Sequence, residues 1–242
     1  MLPKLLIGLL ILLLYLSSAT AQKIRYYDAH NNEVRSDEAN YFTVQYKFND
    51  TCWAKDYYRI KGPLIRKEQY KDQKNTVKNG RYFFYDIVGR IDSTGSFSNN
   101  KQHGIWVVYG DAGDSSMEEI YKDGVLVETK DVTRDKTKDT VGARESQFPG
   151  GVEGWQKYLA RNLKVPDEVV NNVGNFSGGA IVSFAVDKDG TIHDILLIKS
   201  ALYLIDDVYL DIIKKSPKWL PAQINGTAVK SYKKQPFFLN IQ

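Results

Sequence analysis

Histidines, a cysteine and paired carboxylates are the side chains here that could do chemistry, and their spacing argues against it. The histidines are His30, His103 and His193, far apart and in turns or at strand starts. A metal centre needs three or four N, S or O ligands brought to one point, and no two of these histidines stand at ligand spacing. His193-Asp194 places a base beside an orienting carboxylate, but neighbours on an extended strand point to opposite faces, so the two are expected to diverge. Glu118-Glu119 and Asp206-Asp207 are adjacent in the same way. They read as solvated faces, or as negative charge at a helix start, where the macrodipole favours it. Cys52 is the lone cysteine. It cannot form an internal disulfide, and it reads as a buried small residue rather than a nucleophile. Gly150-Gly151 and Gly178-Gly179 lack the lysine of a phosphate-binding loop. The chain therefore reads as a non-enzyme with no metal and no cofactor.

The elements that would carry a binding surface instead fall into blocks. Lys4, the apolar run Leu5 to Leu16 and the small-x-small end Ala19-Thr20-Ala21 read as a secretory signal over 1–21, cleaved before Gln22. About 12 apolar residues is short of the roughly 20 that a membrane span needs. With no cysteine at the cleavage point, a lipoprotein is not expected. The rest of the 242-residue chain is long enough for two small domains. Its formal charge of +4 is spread over 33 basic and 29 acidic side chains, without the concentrated basic face of a nucleic-acid binder.

Residues 22–130 alternate short β-type runs, such as Tyr41 to Tyr46 and Tyr82 to Tyr85, with turn residues at Asn79-Gly80, Asn99-Asn100, His103-Gly104, Asp111 to Asp114 and Asp123-Gly124. This predicts a β-meander. A repeat runs through it. Gly80-Arg81-Tyr82 with Tyr85 matches Gly104-Ile105-Trp106 with Tyr109, and Gly124 follows. Such units bury a core only when stacked. Residues 131–147 read as a loose, solvated linker, rich in both charges and without apolar periodicity.

From Phe148 the periodicity becomes helical: Val152, Trp155, Leu159 and Leu163 predict an amphipathic helix over 152–163, ended by Val165-Pro166. Gly179 to Val186 alternates as a strand and turns at Asp187-Lys188-Asp189-Gly190. Thr191 to Ser200 returns, and its Ile195 to Ile198 run suggests burial on both faces. Ile205, Val208, Tyr209, Ile212 and Ile213 mark a second helix that ends before Pro217. Val229 to Ile241 is a last strand, interrupted by Pro236. The fold class is α+β: an all-β meander, then an α-β-β-α-β domain (148–242) with a small antiparallel sheet.

Several features of this second block, in order, carry a resemblance. They are Phe148-Pro149-Gly150-Gly151; Asn162 and Pro166; Gly178, Val182, Phe184, Val186 and Gly190; Ser200 and Asp206; and Pro217, Trp219, Pro221, Asn225, Gly226, Val229 and Pro236. Residues 148–242 resemble the TonB C-terminal domain family, in the form common in periplasmic proteins of Bacteroidetes-type bacteria. The repeats of 78–127 are similar to degenerate MORN-type repeats. Val165, Val169, Val170, Val208 and Tyr209 depart from the TonB-type pattern. The apolar N-terminal run lacks the family's anchor histidine, and 131–146 contain no proline for a stiff spacer. The resemblance implies a binding module without power coupling.

The resemblance further implies a periplasmic, transport-related protein whose last strand accepts an extended peptide, the partner being a segment of an outer-membrane transporter or envelope protein. Main-chain hydrogen bonds would supply affinity and alternate side chains selectivity. The expected partner-binding residues are Val229, Lys230, Ser231, Tyr232, Lys233, Lys234 and Gln235. The three lysines either guard the edge against self-pairing or attract an acidic peptide. Trp219, between Pro217 and Pro221, is either a core aromatic or a groove wall. The partner is a protein or peptide, not nucleic acid, and a membrane is met only through partners or an uncleaved N-terminus. Envelope scaffolding, with a homodimer among its forms, is the alternative.

Overall fold

The computed structural model describes residues 22–110, 115–133 and 143–241. The expected signal segment, the turn at 111–114 and the centre of the expected linker, 134–142, lie outside the described residues. Nine strands come first: β1 (Lys23–Tyr27), β2 (Tyr41–Asn49), β3 (Cys52–Arg59), β4 (Leu64–Tyr70), β5 (Gly80–Tyr85), β6 (Ile91–Ser98), β7 (Lys101–Tyr109), β8 (Ser115–Lys122) and β9 (Val125–Thr133). Then follow β10 (Ala143–Arg144), α1 (Gly151–Asn162), α2 (Asp167–Val173), β11 (Phe176–Val186), β12 (Ile192–Lys199), α3 (Ile205–Lys214), β13 (Ala222–Ile224), β14 (Thr227–Val229) and β15 (Ser231–Ile241).

The first nine strands form one antiparallel sheet in chain order, a meander. The repeat signal corresponds to a cross-strand ladder of rings. Tyr70, Tyr82, Phe97, Trp106 and Tyr121 come from five successive strands, with centroid separations of 6.1, 4.6, 5.3 and 6.2 Å. Each such pair adds about 0.5–1.5 kcal/mol beyond its area burial. The ladder needs a gap in β6: a Cβ on Gly95 would sit within the indole of Trp106. Gly80 and Gly104 take positive φ, 105° and 72°, where β-carbons are strained.

The second half packs a three-stranded sheet, β12-β11-β15, with helical α1 and α3. Inward residues of β11 are Ala180, Val182, Phe184 and Val186, as the alternation predicts, and Ile205, Tyr209, Ile212 and Ile213 of α3 are buried. Four sequence expectations are corrected. Val152 is 74% exposed, and it is Trp155, Tyr158 and Leu159 that turn α1 toward the core. A further short helix, α2, follows Pro166, and it buries Val169. β12 is an edge strand with only Leu197 buried, so its apolar run is half-covered rather than central. The expected single strand from Val229 breaks at Lys230: β14 pairs with β13, while β15 pairs with β11.

The expected linker is tied down at both ends. Asp131 to Thr133 complete β9, β10 pairs with β13, Ser146 is buried, and Gln147 and Leu220 exchange backbone hydrogen bonds of 2.9 and 2.8 Å. One apolar cluster spans both halves. Tyr58, Leu64 and Tyr85 of the meander share it with Val182, Leu202, Ile205 and Tyr209. Polar pins cross the same joint. Leu64 N–H donates to Ser200 Oγ (2.7 Å), Ser200 Oγ–H donates to Asp206 Oδ2 (2.5 Å), and Ser200 N–H donates to Gly89 O (2.8 Å). Tyr85 O–H reaches the Leu197 carbonyl at 2.8 Å. Asp206 is thus wholly buried rather than on a solvated face, and with Asp207 it stands in the first turn of α3, the helix-start position also expected. Among the described residues no helix is long and apolar enough to cross a membrane.

Candidate functional site

The three-stranded sheet has two borders, and the joint treats them differently. The β12 border is covered by the meander: Arg90 bridges Lys199, and Gly89 and Tyr85 take its backbone groups. The β15 border is not. Among the described residues, no backbone hydrogen bond joins 231–241 to anything but β11.

Pro236 fixes which backbone groups face out. The β11–β15 register is unbroken from Phe176↔Ile241 to Val186↔Ser231, and Pro236 sits in it opposite Ile181. A proline inside a paired strand must place its missing N–H away from the ladder. Strand polarity alternates every second residue, so Tyr232, Lys234, Phe238 and Asn240 share this outward orientation. The Pro236 carbonyl accepts a side-chain bond from Gln235 Nε2 at 2.9 Å, as an outward carbonyl can. Proline therefore does not interrupt this strand. It marks it as an edge.

The same residues present the solvent-facing side chains. Phe237 is buried against Tyr209 with ring centroids 4.3 Å apart, while Tyr232 and Phe238 are 67% and 83% exposed. Beside the start of β15, the segment 143–146 and the β13–β14 hairpin leave a groove of about 310 Å³. Its lining includes Val229, Lys230, Ser231, Tyr232 and Lys233, so five of the expected residues meet there. Lys234 and Gln235 lie further along β15, and Val229 belongs to the neighbouring small sheet.

The lysines are not equivalent. Lys230 Nζ pairs with Asp194 Oδ2 at 3.2 Å and lies 5.1 Å from the Tyr232 ring centre. Lys233 Nζ pairs with Glu145 Oε2 at 2.7 Å, tying the expected linker to β15. Lys234, exposed and outward, has no ion pair among the described residues. Of the three, it is the free cation of the edge.

Trp219 is a core residue. It packs on Phe184 at 5.1 Å, Trp155 at 5.6 Å and Phe148 at 5.7 Å, and its indole N–H reaches Ser216 Oγ at 3.2 Å. It supports the sheet rather than walling the groove. His193 and Asp194 do meet, contrary to the opposite-face expectation: Nδ1 to Oδ2 is 3.1 Å. The cause is a bulge, with the β11–β12 register shifting between Ser183 and Ala185 and Asp194 at φ 52°. The Asp194 carboxylate is shared with Lys230, and Asp187 stands 3.5 Å from the other ring nitrogen. His193 thus stands between two carboxylates, one of them shared with Lys230. Cys52 is half-buried rather than buried as expected; it donates to the Trp53 carbonyl at 3.5 Å, and partial burial raises its thiol pKa above the usual value. No group of three metal-ligating side chains occurs among the described residues.

In comparisons with known proteins, no family model, no curated protein and no solved structure matches the chain.

Proposed function

We propose that this protein is an exported, non-enzymatic binding module of TonB C-terminal type, seated on a MORN-like meander, that takes up an extended peptide along β15. The observation that carries the reading is the one-sided pairing of β15, with Pro236 marking its outer border. Added as a further strand, a peptide pairs with the outward groups of Tyr232, Lys234, Phe238 and Asn240. Each backbone hydrogen bond contributes about 0.5–1.5 kcal/mol net. The exposed rings of Tyr232 and Phe238 cover its alternate side chains, and Lys234 favours an acidic residue between them. The partner class is a segment of an outer-membrane transporter or another envelope protein in the periplasm.

The test is backbone NMR of the chain from Gln22 titrated with a seven-residue extended peptide that alternates β-branched and acidic residues. Shifts confined to 231–240 and their β11 partners are expected. Unchanged spectra at millimolar peptide refute the reading. Envelope scaffolding through self-pairing is favoured by the 83% exposure of Phe238 on the same border. Light scattering distinguishes it: a dimer that a Phe238→Lys variant dissolves supports self-assembly over peptide capture.

A further inference from the structure

The meander carries a second concavity far from β15 in the chain, and its charge is one-sided. Its floor is the face of β1–β3 opposite the shared core. Cross-strand register sets Lys23, Gln45 and Lys55 in one row and Arg25, Thr43 and Tyr57 in the next. The loop between β4 and β5 folds over this floor: Gln45 Nε2 donates to the Gln73 carbonyl at 2.5 Å. The loop is held in shape by the Asp72 carboxylate, which accepts the N–H groups of Thr76 (3.1 Å) and Val77 (2.8 Å). The concavity, open to solvent, holds about 410 Å³. Lys23, Arg25, Lys55 and Lys74 line it with Tyr27, Thr43, Gln45, Gln73 and Asn75, and no carboxylate does.

Lys23 and Lys55 flank Gln45 in one row and Arg25 stands in the next, so three cations gather on one sheet face without being directly opposed. Arg25 has Glu33 at 3.1 Å, but that carboxylate lies outside the cavity lining. Glu68 stands opposite Lys55 in register, yet one of its oxygens takes Arg66 at 2.9 Å and the other takes the Tyr70 hydroxyl. Lys23, Lys55 and Lys74 have no ion pair among the described residues. Lys55 instead lies over the rings of Tyr57 and Tyr27, 4.9 and 5.8 Å from their centres. Partial burial lowers its pKa, so its charge is held at a cost.

We propose that this cavity binds a small polyanion, a ligand carrying two or more phosphate or carboxylate groups. Lys55 and Arg25 supply the floor contacts, and Lys23 and Lys74 close on either side. The cluster of cations is then the binding surface rather than an unrelieved repulsion.

The test is isothermal titration calorimetry of the chain from Gln22 with pyrophosphate and, separately, citrate at low ionic strength. Saturable binding at one site is expected, weakened at least tenfold in Lys55→Gln and unchanged in Lys61→Gln, a cation outside the cavity. Absence of binding at 10 mM of either probe, or equal loss in both variants, overturns the proposal. Co-sedimentation with cardiolipin vesicles, whose headgroup carries two phosphates, separates the sources of the anion. Protein left in the supernatant supports a soluble ligand, while sedimentation abolished by Lys55→Gln keeps the site and assigns it to a lipid headgroup.

Discussion

Proline substitution along β15 separates its two backbone faces. Lys234 shares the outward parity of Pro236, while Lys233 faces β11, opposite Phe184. In Lys234→Pro the lost N–H is one that no ladder bond uses, and edge positions tolerate proline. Folding stability is therefore expected to change by less than about 1 kcal/mol. In Lys233→Pro the lost N–H belongs to the β11–β15 ladder and leaves its acceptor unpaired, at a cost of about 1–3 kcal/mol, and the pair with Glu145 is lost too. Peptide binding responds in the reverse sense. Lys234→Pro removes one intermolecular bond and leaves a peptide carbonyl without a donor, together about 1.5–3 kcal/mol. That is a tenfold to hundredfold rise in Kd. Urea unfolding followed by tryptophan fluorescence reads the first quantity, and peptide titration by NMR reads the second. Equal stability loss in the two variants would refute the parity argument, and unaltered peptide affinity in Lys234→Pro would refute the use of this border.

Other consequences are equally direct. Burial raises the Asp206 carboxyl to about 6, above an unfolded value near 4. The folded state thus holds a proton that the unfolded state releases. The stability associated with this group is complete below about pH 4 and falls as pH rises through about 6, by on the order of 3 kcal/mol. Asp206→Asn should flatten that portion of a urea-midpoint against pH curve; an unchanged slope contradicts the assignment. Gly95→Ala drives a methyl into Trp106 and should lower stability by about 1–3 kcal/mol as overpacking does, with a drop in midpoint visible by thermal circular dichroism. Phe237→Ala opens a cavity against Tyr209 and should cost about 3–5 kcal/mol, whereas Phe238→Ala should leave stability within about 0.5 kcal/mol. The two neighbours then report the inward and outward faces of one strand.

What could be read from sequence was whatever local periodicity controls. Strand alternation in 180–186, the α3 stripe and the turns at Asn99-Asn100 and Asp123-Gly124 depend on neighbours two to four residues away, and the structure keeps them; Gly104, expected in a turn, lies inside β7. Val152 fits the same helical stripe but is exposed, because whether a stripe's first member reaches the core depends on where the helix is docked. Of the residues expected at the border, 231–235 lie on β15, which is paired on one side among the described residues, and Val229 lies on β14. Nothing in the local pattern shows that the chain changes sheets at Lys230. His193 and Asp194 meet through a bulge that no alternation rule contains.

Charge carried no signal of its own in the chain. Thirty-odd basic residues balanced by nearly as many acids look neutral when counted along the sequence, and the basic cavity exists only because register sets Lys23 beside Gln45 and Lys55. The sequence alone determined most of the elements, their order and the alternation of faces, because these follow from backbone geometry and side-chain type over short range; α2 and the break at Lys230 it did not. Tertiary structure alone decided that the meander would cover β12 and leave β15 bare. Which border is sheltered depends on contacts between residues more than a hundred positions apart, such as Leu64 with Ser200 and Tyr85 with Leu197, and no local rule reaches across that distance.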